Sequence, residues 1–140
     1  MSETERDAFL GTGGTGVLSF PRPDGAPHAL PVSYGYDADG ESFYFRLAVP
    51  SDSEKSGLLD RPVSFVVHGE TETGWHSVIA TGRLEETTDE AVATETLQGL
   101  RNVRIPLVDI FGSPPGDVPF QFYRLAPEEL TARKETSTAA

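Results

Sequence analysis

The chain has 140 residues, of which 22 are acidic and 11 basic, giving a formal net charge of −11. Such a charge repels nucleic acid and anionic membrane surfaces, and no apolar run approaches the ~20 residues that span a bilayer. The chain has no cysteine, which removes disulfides and thiolate metal sites, and its three histidines (28, 68 and 76) are too few for a multi-histidine zinc centre.

The length fits one domain over residues 1–140, with 1–10 and 135–140 expected to fray. The N-terminal segment is neither basic nor apolar, so no secretory signal is read and a cytoplasmic location is expected. The acids are scattered (Asp37, Asp39, Asp60, Glu85, Glu86, Glu95, Glu128), and only Lys55 and Lys134 are lysines. Scattered acid with almost no lysine is the composition of a salt-adapted, halophilic protein.

In chain order, Met1 to Leu10 reads as a polar, frayed or short helical lead-in. GTGGTG at 11–16 matches the letters of the dinucleotide fingerprint, but a polar segment precedes it and a strand follows. The fingerprint needs a strand before and a helix after, so these glycines are expected to form a flexible loop. Val17 to Phe20 reads as a first strand and Pro23-Asp24-Gly25 as a turn. Ala29 to Tyr36 alternates, with Leu30, Val32, Tyr34 and Tyr36 on one face and Pro31, Ser33 and Gly35 on the other. Pro31 has no N–H to donate, so it implies an interruption of the ladder or an edge. Asp37 to Gly40 closes a hairpin onto Phe43 to Leu47.

Between FYFRL and VSFVV, Ser51 or Ser53 can cap a short helix, SEKSGLLD, which Pro62 stops. Lys55 falls in its first turn, where the helix N-terminus already carries partial positive charge. A bound anion such as phosphate would relieve that conflict; so would Asp52 and Glu54, and both readings stand. Trp75 to Glu86 reads as one long strand, alternating around Ser77, Ile79 and Thr81. Thr87 to Glu90 has capping-box spacing, predicting a helix to about Leu100 that buries Ala93, Leu97 and Leu100. Residues 101–119 are loop-like yet carry Ile105, Leu107, Val108, Ile110 and Phe111. They form either a dimer contact or a cover over the domain's own core. Phe120 to Leu125 reads as the last strand and Pro127 to Lys134 as a final turn. Short strands joined by turns, with no regular strand–helix alternation, point to an antiparallel barrel. His76 and Ser77 are strand neighbours on opposite faces, so no catalytic triad is read.

The series GVLSF, DGAPHALPVSYGYD, FYFRLA, SEKSGLLDRPVSFVV, WHSVIATGRLEE and FYRLAPEELTARK covers residues 9–134. In order and spacing it resembles the flavin-binding split-barrel family. That family contains pyridoxamine 5′-phosphate oxidase and the nitroimidazole-reductase-type proteins. The resemblance implies a mainly β fold, a six-stranded antiparallel split barrel with a few short flanking helices. It also implies a homodimer holding FMN at the subunit interface and redox chemistry on a small molecule. It places Lys55 at the FMN phosphate, with Arg46 beside Phe45 in FYFRL and the hydroxyl of Ser53 nearby. Pro31, Val32, Ser33 and Tyr34 fall on the strand that runs along the flavin ring, and Ser77 at a polar contact flanked by Trp75 or His76. The deazaflavin F420, haem, or a non-enzymatic flavin-binding dimer are the alternatives within this fold. The chain ends ARKETSTAA, with Arg133 but without the family's Arg-x-x-x-His substrate motif, so oxidation of vitamin B6 is not expected. No side chain reads as an obligate acid or base, which fits an enzyme whose cofactor carries the chemistry.

Overall fold

In the computed structural model, residues 1–22, 25–48, 59, 61–87 and 120–135 are described. Among the described residues, helix α1 (Glu3–Leu10) precedes eight strands: β1 (Gly13–Phe20), β2 (His28–Asp37), β3 (Ser42–Ala48), β4 (Val63–Thr71), β5 (Gly74–Gly82), β6 (Leu84–Thr87), β7 (Phe120–Leu125) and β8 (Glu129–Glu135). They form one antiparallel sheet in the order β6-β7-β3-β2-β1-β4-β5-β8, curled into a half-barrel of split-barrel type. The helices read at 51–60 and 88–100 and the segment 101–119 fall outside the described residues. Leu59 is the exception; it is helical and packs half-buried on the core.

Eight strands replace the expected six for two reasons. The long strand read from Trp75 to Glu86 is broken at Arg83: β5 pairs with β4 and β8, whereas β6 pairs with β7. Gly82 permits the bend, because a Cβ there would stand 3.2 Å from the Ala126 carbonyl oxygen and the Glu128 nitrogen. The segment read as a final turn is instead β8, whose Leu130 and Ala132 pack on the core opposite Ala80 and Val78. Its charged remainder suits an edge strand.

The N-terminus is also more ordered than its polarity suggested. Ser2 and Glu5 form a reciprocal capping box at α1. The helix is then tied across the barrel end by Tyr34 Oη donating to Leu10 O (2.9 Å) and Tyr36 Oη to Asp7 Oδ1 (2.7 Å). Arg6 pairs with Glu41 at 3.1 Å and Lys134 with Glu5 at 2.8 Å.

The glycine run is strand, not loop, from Gly13 onward. Gly16 turns its missing side chain toward the core. A Cβ there would lie 2.6 Å from the Phe65 ring and 2.7 Å from the Val66 carbonyl oxygen. Glycine is what lets β1 lie against that ring.

The core is aromatic. The Phe65 ring contacts Tyr34, Phe43 and Phe45 at centroid distances of 5.3, 5.4 and 4.8 Å, and Leu18, Val67, Val78 and Tyr123 are buried around them. Burial pushes the phenols of Tyr34 and Tyr36 far above their ordinary value, and burial with the nearby Glu86 pushes Tyr123 up to about 12. Unfolded tyrosines ionise near pH ~10 while these stay protonated, so the folded state holds more protons above that pH. Stability is therefore expected to fall as pH rises past about 10, by up to about 1.4 kcal/mol per pH unit for each tyrosine. Urea midpoints compared at about pH 9 and about pH 11 test this, and equal midpoints would contradict it.

Candidate functional site

The sheet opens at two places, and both follow from strand register. The Tyr36 N–H donates to Thr12 O at 3.0 Å. By alternation, Tyr36, Tyr34, Val32 and Leu30 aim their backbone groups at β1, while Gly35, Ser33 and Pro31 aim theirs the other way. On that other side β3 pairs only with Gly35, Tyr36 and Asp37. Beyond Gly35 the two strands part, and the Ser33 N–H and C=O and the Pro31 C=O have no strand partner among the described residues. Pro31 thus sits where its missing N–H costs no ladder bond: pairing to β1 runs unbroken past it, opposite Val17. The interruption read from this proline exists on the β3 side only.

Ser33 and Arg46 flank this first fork. Each is two residues from the last paired couple, Gly35 and Tyr44, and on the same outer face of the sheet. Ser33 is 7% exposed, whereas Arg46 reaches solvent. The fork therefore offers a backbone donor and acceptors, a hydroxyl and a guanidinium, a set suited to the polar edge and anionic tail of a flat ligand.

The second fork lies between β1 and β4, which pair only from Val17 to Ser19. Where they diverge, Thr15, Gly16, Val17, Pro31 and His68 line an open groove of about 180 Å³ on the outer face. The two forks lie on either side of the paired strands β1 and β2.

The other anticipated residues divide by face. Val32, Tyr34 and Phe45 are core side chains, and their backbone groups are turned to the ladders with β1 (Val32, Tyr34) and β7 (Phe45), away from the fork. Trp75 (45% exposed) and Ser77 stand on the outer face of β5, with the Trp75 ring 5.6 Å from His68. His76 points the opposite way and is 4% exposed. Its Nε2 lies 2.9 and 3.0 Å from the hydroxyls of Thr71 and Thr73, and its ring stacks on Phe9 at 5.2 Å. Its place is between the β4–β5 turn and α1, away from the face that carries Trp75 and Ser77. Lys55 and Ser53 lie outside the described residues. Among the described residues no group of three His, Asp or Glu side chains could hold a metal ion, and no helix is long and apolar enough to cross a membrane.

Within one chain, β5 is three strand positions from β2, about 14 Å at ordinary strand spacing, so Trp75 and Ser77 do not meet the first fork. Thr15 and His68 went unread as site residues. The signal was present in VSFVVHGE, whose alternation sets Ser64, Val66 and His68 on the face opposite Val63, Phe65 and Val67.

The sequence model described as pyridoxamine 5′-phosphate oxidase matches residues 2–134. The chain belongs to the pyridoxamine 5′-phosphate oxidase family. Solved structures give this family member the same fold. A FAD-binding protein from Mycobacterium smegmatis is 20% identical with a TM-score of 0.63, the match covering 98% of each chain. A FAD-binding protein from Mesorhizobium loti is 22% identical with a TM-score of 0.62, covering 97% of this chain and 96% of that one. A FAD- and haem-binding protein from M. smegmatis is 17% identical with a TM-score of 0.63, covering 99% of this chain and 75% of the other. Comparison with curated protein sequences finds no match.

Proposed function

We propose that the protein is a homodimeric flavin-binding oxidoreductase that holds FMN at the first fork and acts on a small molecule. The observation that carries this reading is the parting of β2 and β3 in a member of this family. It leaves the Ser33 N–H and C=O, beside Arg46, without a strand partner among the described residues. Backbone groups of that kind recognise the donor and acceptor atoms along the polar edge of a flavin ring, and Pro31 supplies an apolar wall. Arg46 and Lys55 would neutralise the phosphate, with the Ser53 hydroxyl as a further donor. When bound, flavin supplies hydride or electron transfer at its N5. The chain's own residues bind it, orient it and exclude water.

The distance between β5 and the fork supports the dimer, given a ligand that Ser77 and Trp75 touch. A second copy can bring Ser77 and Trp75 to a cleft that one chain leaves without them. Ile79, 38% exposed two residues beyond Ser77 on the same face of β5, is an apolar surface suited to that contact. FAD is the second reading, favoured by the ligand named for three structural neighbours. Its larger anionic tail would use the same fork. Retention of FMN rather than FAD through gel filtration separates the two.

A further inference from the structure

We propose that the groove at the second fork is a separate ligand site for a small, neutral, planar molecule bearing an amide- or lactam-type edge. Such an edge carries one N–H donor beside one C=O acceptor.

The backbone makes the first part of the case. Gly14 and Gly16 aim their N–H and C=O at β2, so Val17 and Thr15 aim theirs at β4. Val17 finds Val66 there, but Thr15 meets no strand partner among the described residues, because β4 has already turned away. On β4 the equivalent residue is His68, two beyond Val66, whose backbone groups face the same gap. Thr15 therefore presents a strand-like donor–acceptor pair to the groove. The complement of that pair is another amide edge.

Size and walls restrict the occupant. The groove holds about 180 Å³, close to the roughly 150 Å³ cavity that takes one benzene ring, and well short of a dinucleotide. Val17 and Pro31 give it apolar sides, and the exposed His68 imidazole gives it a flat one. Trp75 leans on that imidazole at an interplanar angle of 32°, which helps to hold it in place for stacking. Charge gives an anion no net attraction: Glu70, two residues from His68 on the same face, and Glu135, opposite Trp75, outnumber Arg133, opposite Ser77, and the chain carries −11 overall. A neutral heteroaromatic carboxamide or lactam satisfies all of these features. The inference does not depend on the flavin reading.

Nicotinamide is the probe, with N,N-dimethylnicotinamide, which keeps the ring and loses the donor, as control. Amide shifts of the full ¹⁵N-labelled chain are followed during titration, with and without FMN. Nicotinamide is expected to give saturable shifts at the Thr15 and His68 amides, and the dimethyl compound none. His68→Ala should weaken binding about threefold to tenfold. His68→Phe should retain most of it, and Thr15→Val, which keeps the backbone pair, should stay within about twofold of the parent. The spectra themselves report whether each variant is folded. Silent Thr15 and His68 amides, equal responses to both compounds, or shifts centred on Ser33 would overturn the proposal. Failure to retain FMN alongside a saturable Thr15 shift would overturn the flavin reading and uphold this one.

Discussion

Phe65→Ala is expected to lower the free energy of unfolding by about 3–5 kcal/mol. The ring is 1% exposed and contacts three other aromatic rings, Tyr34, Phe43 and Phe45. It also fills the space that Gly16 leaves open at the meeting of β1 and β4. Truncation removes the transfer free energy of the ring and leaves a cavity between strands whose backbones are fixed by their ladders. Urea unfolding checks the result through the midpoint, with an unchanged m-value showing that the same cooperative unit unfolds. A loss below about 1 kcal/mol, ordinary for a generic substitution, would show that Phe65 is not the centre of the core.

Lys55→Ala is expected to weaken FMN binding by about 1.5–3 kcal/mol, roughly tenfold to hundredfold, without changing the urea midpoint of the flavin-free protein. A phosphate contact from an ammonium is charge-assisted, and its loss leaves the anion with Arg46 as the remaining proposed cation. The effect should be large because the chain has only two lysines and an excess of eleven acidic residues. The general field therefore repels the phosphate and local cations must overcome it. The contribution should also shrink as salt is raised, as it does for any solvent-accessible ionic contact. Isothermal titration of variant and parent with FMN measures it directly. Equal affinities would mean that Lys55 is not at the phosphate.

Much of the fold was legible because period-two alternation survives burial on one face. Val32, Tyr34 and Tyr36 in β2 and Val63, Phe65 and Val67 in β4 each mark the core side of their strand. The errors have physical causes. Glycine lacks the side chain that gives a strand its signature, so the run at 11–16 hid half of β1; only Phe65 and Val66, distant in sequence, explain Gly16. A bend leaves little trace in alternation, and the break at Arg83 depends on the close approach of Ala126 and Glu128 to Gly82. β8 carries mostly charged residues because it is an edge, which disguised it as a turn.

At the candidate site, the sequence suggested Pro31, Ser33 and Arg46, and register leaves the Ser33 N–H and C=O and the Pro31 C=O without a strand partner among the described residues. The opposite facing of His76 and Ser77 was legible from strand geometry; which of the two faces turns inward was not, and the fold sends His76 to α1 and Ser77 to the outer surface. The second fork was invisible for a related reason: an unpaired stretch of β1 looks, residue by residue, like a paired one.

The most direct test of the flavin reading is the visible absorption spectrum of the protein purified in high salt, incubated with FMN and passed through gel filtration. A flavin spectrum that co-elutes with a protein of twice the 15.1 kDa chain mass is the predicted result. A folded protein that emerges without flavin would contradict it and leave F420, haem or a flavin-free dimer as the readings of this fold.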